Sequence, residues 1–126
     1  MSKILLVEDN EMNREGLSRL LVKRGFQVIV AEDGLRAIQL AQESSPDIII
    51  MDVEIPGIDG YEAIKNIRSY EQERGLPQVP ILVLTAHALL SDKLTAEEAG
   101  CTAFECKPVK FKSLLERVKN LLGSGE

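Results

Sequence analysis

Asp47-Ile48-Ile49-Ile50-Met51-Asp52-Val53-Glu54-Ile55-Pro56-Gly57-Ile58-Asp59-Gly60 is the stretch whose reading decides the fold. Ile48 to Met51 is an unbroken apolar run that stops at Asp52, and a loop containing Pro56, Gly57 and Gly60 follows. A run this short, β-branched and bounded by breakers, reads as a strand buried on both faces. A carboxylate at the C-terminal end of such a strand stands at the rim of a parallel sheet, where open α/β folds keep their sites. Asp52 is therefore the candidate reacting group.

The same pattern repeats on either side. Lys3 to Val7 is a first strand, interrupted by Glu8-Asp9-Asn10. From Met12 the apolar period becomes helical, with Leu17, Leu20 and Leu21 on one side, Asn10 as N-cap and Gly25 as the stop. Phe26 to Ala31 is a second strand. Asp33-Gly34 opens a second helix with Leu35, Ile38 and Ala41 inward, ending before Pro46. Beyond the third strand, Asp59 caps a third helix with Glu62 as its capping-box partner. Tyr61, Ile64, Ile67 and Tyr70 share one side of it, and it fades through the polar Glu71 to Gln78, where Gly75 and Pro77 end it. Ile81 to Leu84 is a fourth strand ending at Thr85. Ala88 to Ala99 is a fourth helix stopped by Gly100, and Thr102 to Cys106 a fifth strand running into Lys107-Pro108. Phe111, Leu114, Leu115, Val118, Leu121 and Leu122 give the cleanest helical stripe, and residues 123–126 read as a flexible tail. Strands alternating with helices imply βαβ units with right-handed crossovers: an α/β, doubly wound, five-stranded parallel sheet.

The totals narrow the function. The chain has 126 residues, enough for one domain with its own core. A net charge of −5 argues against binding nucleic acid or an anionic membrane through a basic face. Trp is absent and aromatic residues make up 4%, which leaves no stacking platform for single strands. No apolar run approaches the length of a membrane span, and the start does not read as a secretory signal. Cys101 and Cys106 form no metal or redox motif, so a reducing cytoplasm is the expected compartment.

In a parallel sheet the strand ends Glu8-Asp9, Asp52, Thr85 and Lys107 all lie on one edge. Three carboxylates, one hydroxyl and one ammonium then surround a common point. At about 5 Å and an effective dielectric near 20, each carboxylate pair costs on the order of 3 kcal/mol. Either their proton affinities rise or a cation sits among them. Hard oxygens with access to water suit Mg²⁺, which favours one or two carboxylates plus phosphate oxygens. Lys107 can neutralise a phosphoryl oxygen as a point charge, and Thr85 can donate to another. Asp52 is left to attack phosphorus, which is known nucleophilic chemistry for Asp. Neither G-x-x-x-x-G-K nor G-x-G-x-x-G occurs, so the phosphoryl group must arrive on another molecule.

These residues make the chain resemble, over essentially its whole length, a receiver domain of the two-component response-regulator family, of the chemotaxis type. The resemblance implies a flavodoxin-like (βα)5 fold with strand order 2-1-3-4-5 and a receiver spanning residues 1–122, with no output domain. It implies Asp52 as phospho-acceptor, with Lys107 and Thr85 assisting. It implies Mg²⁺ held by Glu8, Asp9, Asp52 and the main-chain carbonyl of Glu54, and a cis peptide between Lys107 and Pro108. Switch and tuning positions fall on Phe104, Glu54, His87, Ala86 and Pro108. The implied partners are a sensor histidine kinase or phosphotransfer protein, and a target meeting the fourth helix, fifth strand and fifth helix, with the protein a monomer or weak dimer. Three departures stand out. The first acid is Glu8 where Asp is commoner, Phe104 stands where Tyr is frequent, and Ile55 replaces a usual Met.

Each residue alone has a plainer reading. Acids ahead of a helix decorate its dipole. Asp52 could be a loop cap, Thr85 a strand end, Lys107 a solvated charge, and Cys106 core packing. Only their joint placement at one sheet edge favours a site. Two rival functions use the same residues: a phosphohydrolase with Asp52 as nucleophile and Glu54 as general acid, and a receiver-like scaffold that binds partners without being phosphorylated.

Overall fold

The computed structural model describes residues 2–55, 57–86 and 90–123. The expected elements are present: β1 (Lys3–Val7), α1 (Glu11–Lys23), β2 (Gln27–Ala31), α2 (Gly34–Ser44), β3 (Ile48–Asp52), α3 (Gly60–Arg74), β4 (Ile81–Thr85), α4 (Leu90–Ala99), β5 (Ala103–Cys106) and α5 (Phe111–Leu122). All strand pairs are parallel, in the order β2-β1-β3-β4-β5. His87 and the expected helix start at Ala88 lie outside the described residues, as does most of the C-terminal tail, residues 124–126.

Alternation along the strands divides the core in two. Leu5, Val7, Ile49, Met51, Ile81 and Val83 pack with Ala37 and Leu40 of α2 and with Ala63, Ile64 and Ile67 of α3. Ile4, Leu6, Ile48, Ile50, Leu82 and Leu84 pack with Leu21 of α1 and with Leu114, Leu115 and Val118 of α5. The handedness of crossovers accounts for the layering. The step from β1 to β2 goes one way along the sheet and the steps from β2 through β5 go the other, so α1 falls on the face opposite α2 and α3. Each fully buried Ile of β3 contributes about 1.5–3 kcal/mol, which is why that strand sits at the centre.

The caps are those expected. The side chains of Asn10, Asp33 and Asp59 accept from the N–H groups of Asn13, Arg36 and Glu62. Gly25 and Gly75 follow α1 and α3 with φ of 94° and 65°, the left-handed region that favours glycine. Gly60 has a packing role, since a Cβ there would lie 2.6 Å from the Cα of Val53. The start of α3 is thereby pressed onto the residue that follows Asp52.

Three expectations fail in detail. Leu20 of α1 is 43% exposed and Leu35 of α2 is 67% exposed; the inward residues are Leu21 on α1, and Ala37 and Leu40 on α2, with Ile38 and Ala41 partly covered. Helical period alone left the apolar stripe free by one position, and packing chose between registers. The third helix also does not fade at Glu71. That carboxylate is 6% exposed and fully engaged. Its Oε1 is 2.8 Å from Arg68 Nη1, and its Oε2 accepts from the Val79 N–H at 2.8 Å. Arg68 Nε donates to the Gly100 carbonyl at 2.9 Å. This cluster ties α3 to the segment entering β4 and to the end of α4, opposite the C-terminal edge of the sheet.

Replacing Glu71 with Ala removes the carboxylate partner of the largely covered Arg68 guanidinium and leaves the Val79 N–H without its acceptor. Urea unfolding should show Glu71→Ala destabilised by about 3 kcal/mol.

Candidate functional site

β1 and β3 are neighbours, and the chain leaves them in opposite directions along the sheet. A crevice therefore opens at their C-terminal ends. Glu8, Asp9 and Asp52 meet there, each with a carboxylate oxygen within 4.8 Å of the others. Asp52 is 2% exposed and Glu8 8%, whereas Asp9 faces solvent. The end of β5 brings Lys107 across the sheet, with its Nζ 2.8 Å from Asp52 Oδ2. The other Asp52 oxygen, Oδ1, accepts from the Glu54 N–H at 2.9 Å. The Lys107 N–H donates to the Thr85 carbonyl at 2.8 Å, which locks the ends of β4 and β5 together beside the site. The Lys107–Pro108 peptide is cis.

Burial raises the Glu8 carboxyl from 4.5 to about 7. The Asn10 N–H, donating to Glu8 Oε2 at 3.1 Å, opposes that rise, and the Asp52 charge adds to it. For Lys107 burial acts to lower proton affinity, but the hydrogen bond and charge of Asp52, with Glu54 and Glu8, outweigh it and the net shift is upward. The donor set is hard oxygen, anionic in excess and open on the Asp9 side, which fits a small divalent cation such as Mg²⁺.

Of the strand-end residues singled out from the sequence, Glu8, Asp9, Asp52 and Lys107 are thus brought together, and Thr85 joins them through its main-chain carbonyl. Thr85 is fully buried at the end of β4, one residue before Ala86 at the site mouth. Phe104 is partly buried against the α2–α3 side of the core, its ring centroid 5.9 Å from Lys93 Nζ on α4. Pro108 is exposed beside the site, and Cys106 is only partly buried. Burial pushes the Cys101 thiol up, away from the reactive thiolate form.

Two contacts had no signal in the sequence. Arg14 Nη1 donates to the carbonyls of Glu8 and Asp9 at 3.0 and 3.3 Å, fixing the acidic turn from α1. The Glu54 carboxylate accepts from the Ala86 N–H, with Oε1 at 2.7 Å and Oε2 at 3.4 Å. The same Oε1 lies 3.8 Å from Lys107 Nζ. Neither contact follows a helical or strand period, so neither could be read from spacing.

A parallel sheet with an acidic cluster and a lysine at its carboxyl edge has the architecture of an open α/β fold with a charged site at its strand ends. Comparison with known proteins makes the class specific: the sequence model described as the response regulator receiver domain matches residues 4–119, and the chain belongs to that family of two-component systems. It is 33% identical over 120 residues to the polar-differentiation response regulator DivK of Brucella ovis, covering 95% of each chain. Among solved structures it resembles the receiver domain of sensor histidine kinase PA1611 from Pseudomonas aeruginosa PAO1, solved with a magnesium ion coordinated in its active-site cleft. The identity is 36%, with a TM-score of 0.86 and 98% of each chain covered. Chemotaxis protein CheY4 of Vibrio cholerae matches at 32% identity and a TM-score of 0.87, covering 96% of this chain and 98% of that one.

The Glu8 shift makes a pH prediction. The folded, metal-free protein holds that proton more tightly than the unfolded chain, so stability falls as pH rises from 4.5 to about 7. The loss should be roughly 1–2 kcal/mol, less than the full shift implies because water at the site mouth screens it. Urea unfolding in EDTA across that range measures it, and Glu8→Gln should flatten the profile.

Proposed function

We propose that the protein is a Mg²⁺-dependent phospho-accepting switch, with residues 1–122 acting as one unit and Asp52 as the acceptor. One observation carries this reading: the carboxylates of Glu8, Asp9 and Asp52 cluster within 4.8 Å while Lys107 Nζ sits 2.8 Å from Asp52. The cluster has the excess negative charge a cation would balance and the ammonium a phosphoryl group would need. The magnesium in the cleft of the Pseudomonas receiver supports the same assignment.

A carboxylate oxygen of Asp52 attacks the phosphorus of a phosphohistidine presented by a histidine kinase or phosphotransfer protein. The O–P bond forms as the N–P bond breaks; the electron pair leaves on the imidazole nitrogen, which takes a proton from solvent. Glu8, Asp9, Asp52 and the Glu54 carbonyl would hold Mg²⁺, which would supply charge neutralisation for the phosphoryl oxygens. Lys107 adds a positive point charge and Thr85 a hydroxyl donor. Hydrolysis reverses the bond at Asp52: water attacks phosphorus and the carboxylate leaves. Glu54 and His87 tune the rate of that hydrolysis.

Thr85 moving toward the phosphoryl group, with Phe104 following, biases a surface formed by α4, β5 and α5 between two arrangements. A target protein reads that surface, and the protein works in the cytoplasm as a monomer or weak dimer, with neither DNA nor membrane as partner. Among the described residues no helix is long and apolar enough to cross a membrane.

Radiolabelled acetyl phosphate tests the assignment without a partner kinase. The wild-type protein should take up label with Mg²⁺ and lose it in EDTA, and Asp52→Asn should fall to background. Undiminished labelling of Asp52→Asn would overturn the proposal.

A further inference from the structure

The Glu54 carboxylate stands where two of the site's donors converge. Its Oε1 accepts from the Ala86 N–H at 2.7 Å and lies 3.8 Å from Lys107 Nζ, and Lys107 is at the same time bound to Asp52 Oδ2. Its own N–H holds Asp52 Oδ1. The residue is thus anchored to the reacting carboxylate through its backbone, while its side chain closes a ring through Ala86 and Lys107. An anion built onto Asp52 would need those same donors. A phosphoryl group carries up to two negative charges and three acceptor oxygens, so it competes with Glu54 for them and repels it. The Glu54 side chain is one-third exposed and has open water to swing into.

We propose that the Glu54 carboxylate is a built-in stand-in for the phosphoryl group, which holds the Ala86 N–H and Lys107 until an anion on Asp52 displaces it. The inference rests on Asp52 being the acceptor. It makes Glu54 a positioning residue that sets the threshold of the switch. Ala86 follows Thr85 directly at the end of β4, so exchanging the partner of its N–H changes the hydrogen bonding of that strand end. Charge-assisted hydrogen bonds of this kind are strong enough to bias a two-state element.

Beryllofluoride, a non-covalent phosphoryl mimic, separates the possibilities. Its affinity is measured at saturating Mg²⁺ for wild type, Glu54→Ala and Glu54→Gln, with the Ala86 amide proton followed by NMR in each. Removing the competing charge should tighten beryllofluoride binding about tenfold in Glu54→Ala. Glu54→Gln keeps an acceptor but no charge, so it should fall between. Before any beryllofluoride is added, the Ala86 amide proton should move upfield in Glu54→Ala, reporting loss of its carboxylate partner. Equal or weaker binding by Glu54→Ala would overturn the stand-in while leaving Asp52 as acceptor. Absence of beryllofluoride binding in all three proteins would overturn the acceptor reading and the stand-in with it.

Discussion

A carboxylate that is 2% exposed is tolerable only if both oxygens are met, and Asp52 meets that condition with partners from two places. Lys107 reaches Oδ2 from 55 residues away, and the Glu54 N–H caps Oδ1 from the loop just beyond the strand. Much of the surrounding architecture follows from satisfying that one group. The bond from the Lys107 N–H to the Thr85 carbonyl keeps β5 in register with β4, so the ammonium arrives at the right height. Close contact between Gly60 and Val53 keeps the loop after Asp52 short and pinned. Five parallel strands, all ending on the same edge, are what allow such distant residues to share it.

The two ends of the sheet treat buried charge differently. At one end, Glu71 is paired with Arg68 and with the Val79 N–H, and Arg68 also reaches the Gly100 carbonyl. Every carboxylate oxygen of Glu71 is answered within the fold, and the cluster staples helices to strands. At the other end, Glu8, Asp9 and Asp52 face one ammonium, Lys107, among the described residues. Burial, with the Asp52 charge adding to it, holds the Glu8 proton up to about 7. A closed network stiffens a fold, whereas a charge imbalance at a crevice invites a cation and an anion from outside. The contrast between these ends separates structure from signalling in this protein.

The candidate site was legible to an unusual extent because its chemistry sits at strand ends. Ile48 to Met51 could be recognised as a doubly covered strand, and Asp52 is the residue that ends it. Glu8, Thr85 and Lys107 follow by the same rule at other strands, and the capping residues Asn10, Asp33 and Asp59 were plain from type and position. Less was legible where spacing leaves a choice. Leu20 and Leu35 satisfy a helical period and yet face water, because Leu21, Ala37 and Leu40 fit the sheet better. Glu71 looked like part of a polar helix tail, since nothing local announces that Val79 will bring it an N–H.

The sequence by itself determined the class of fold, the order of its elements and the edge on which the carboxylates gather. Those depend on apolar period and on breakers, which are local properties. Only the tertiary structure decided which charges touch. Glu54 accepts from Ala86 across 32 residues and shares Lys107 with Asp52, and Arg68 joins Glu71 to the end of α4. Contacts of this kind depend on distances between elements already packed, and no pattern along the chain encodes a distance.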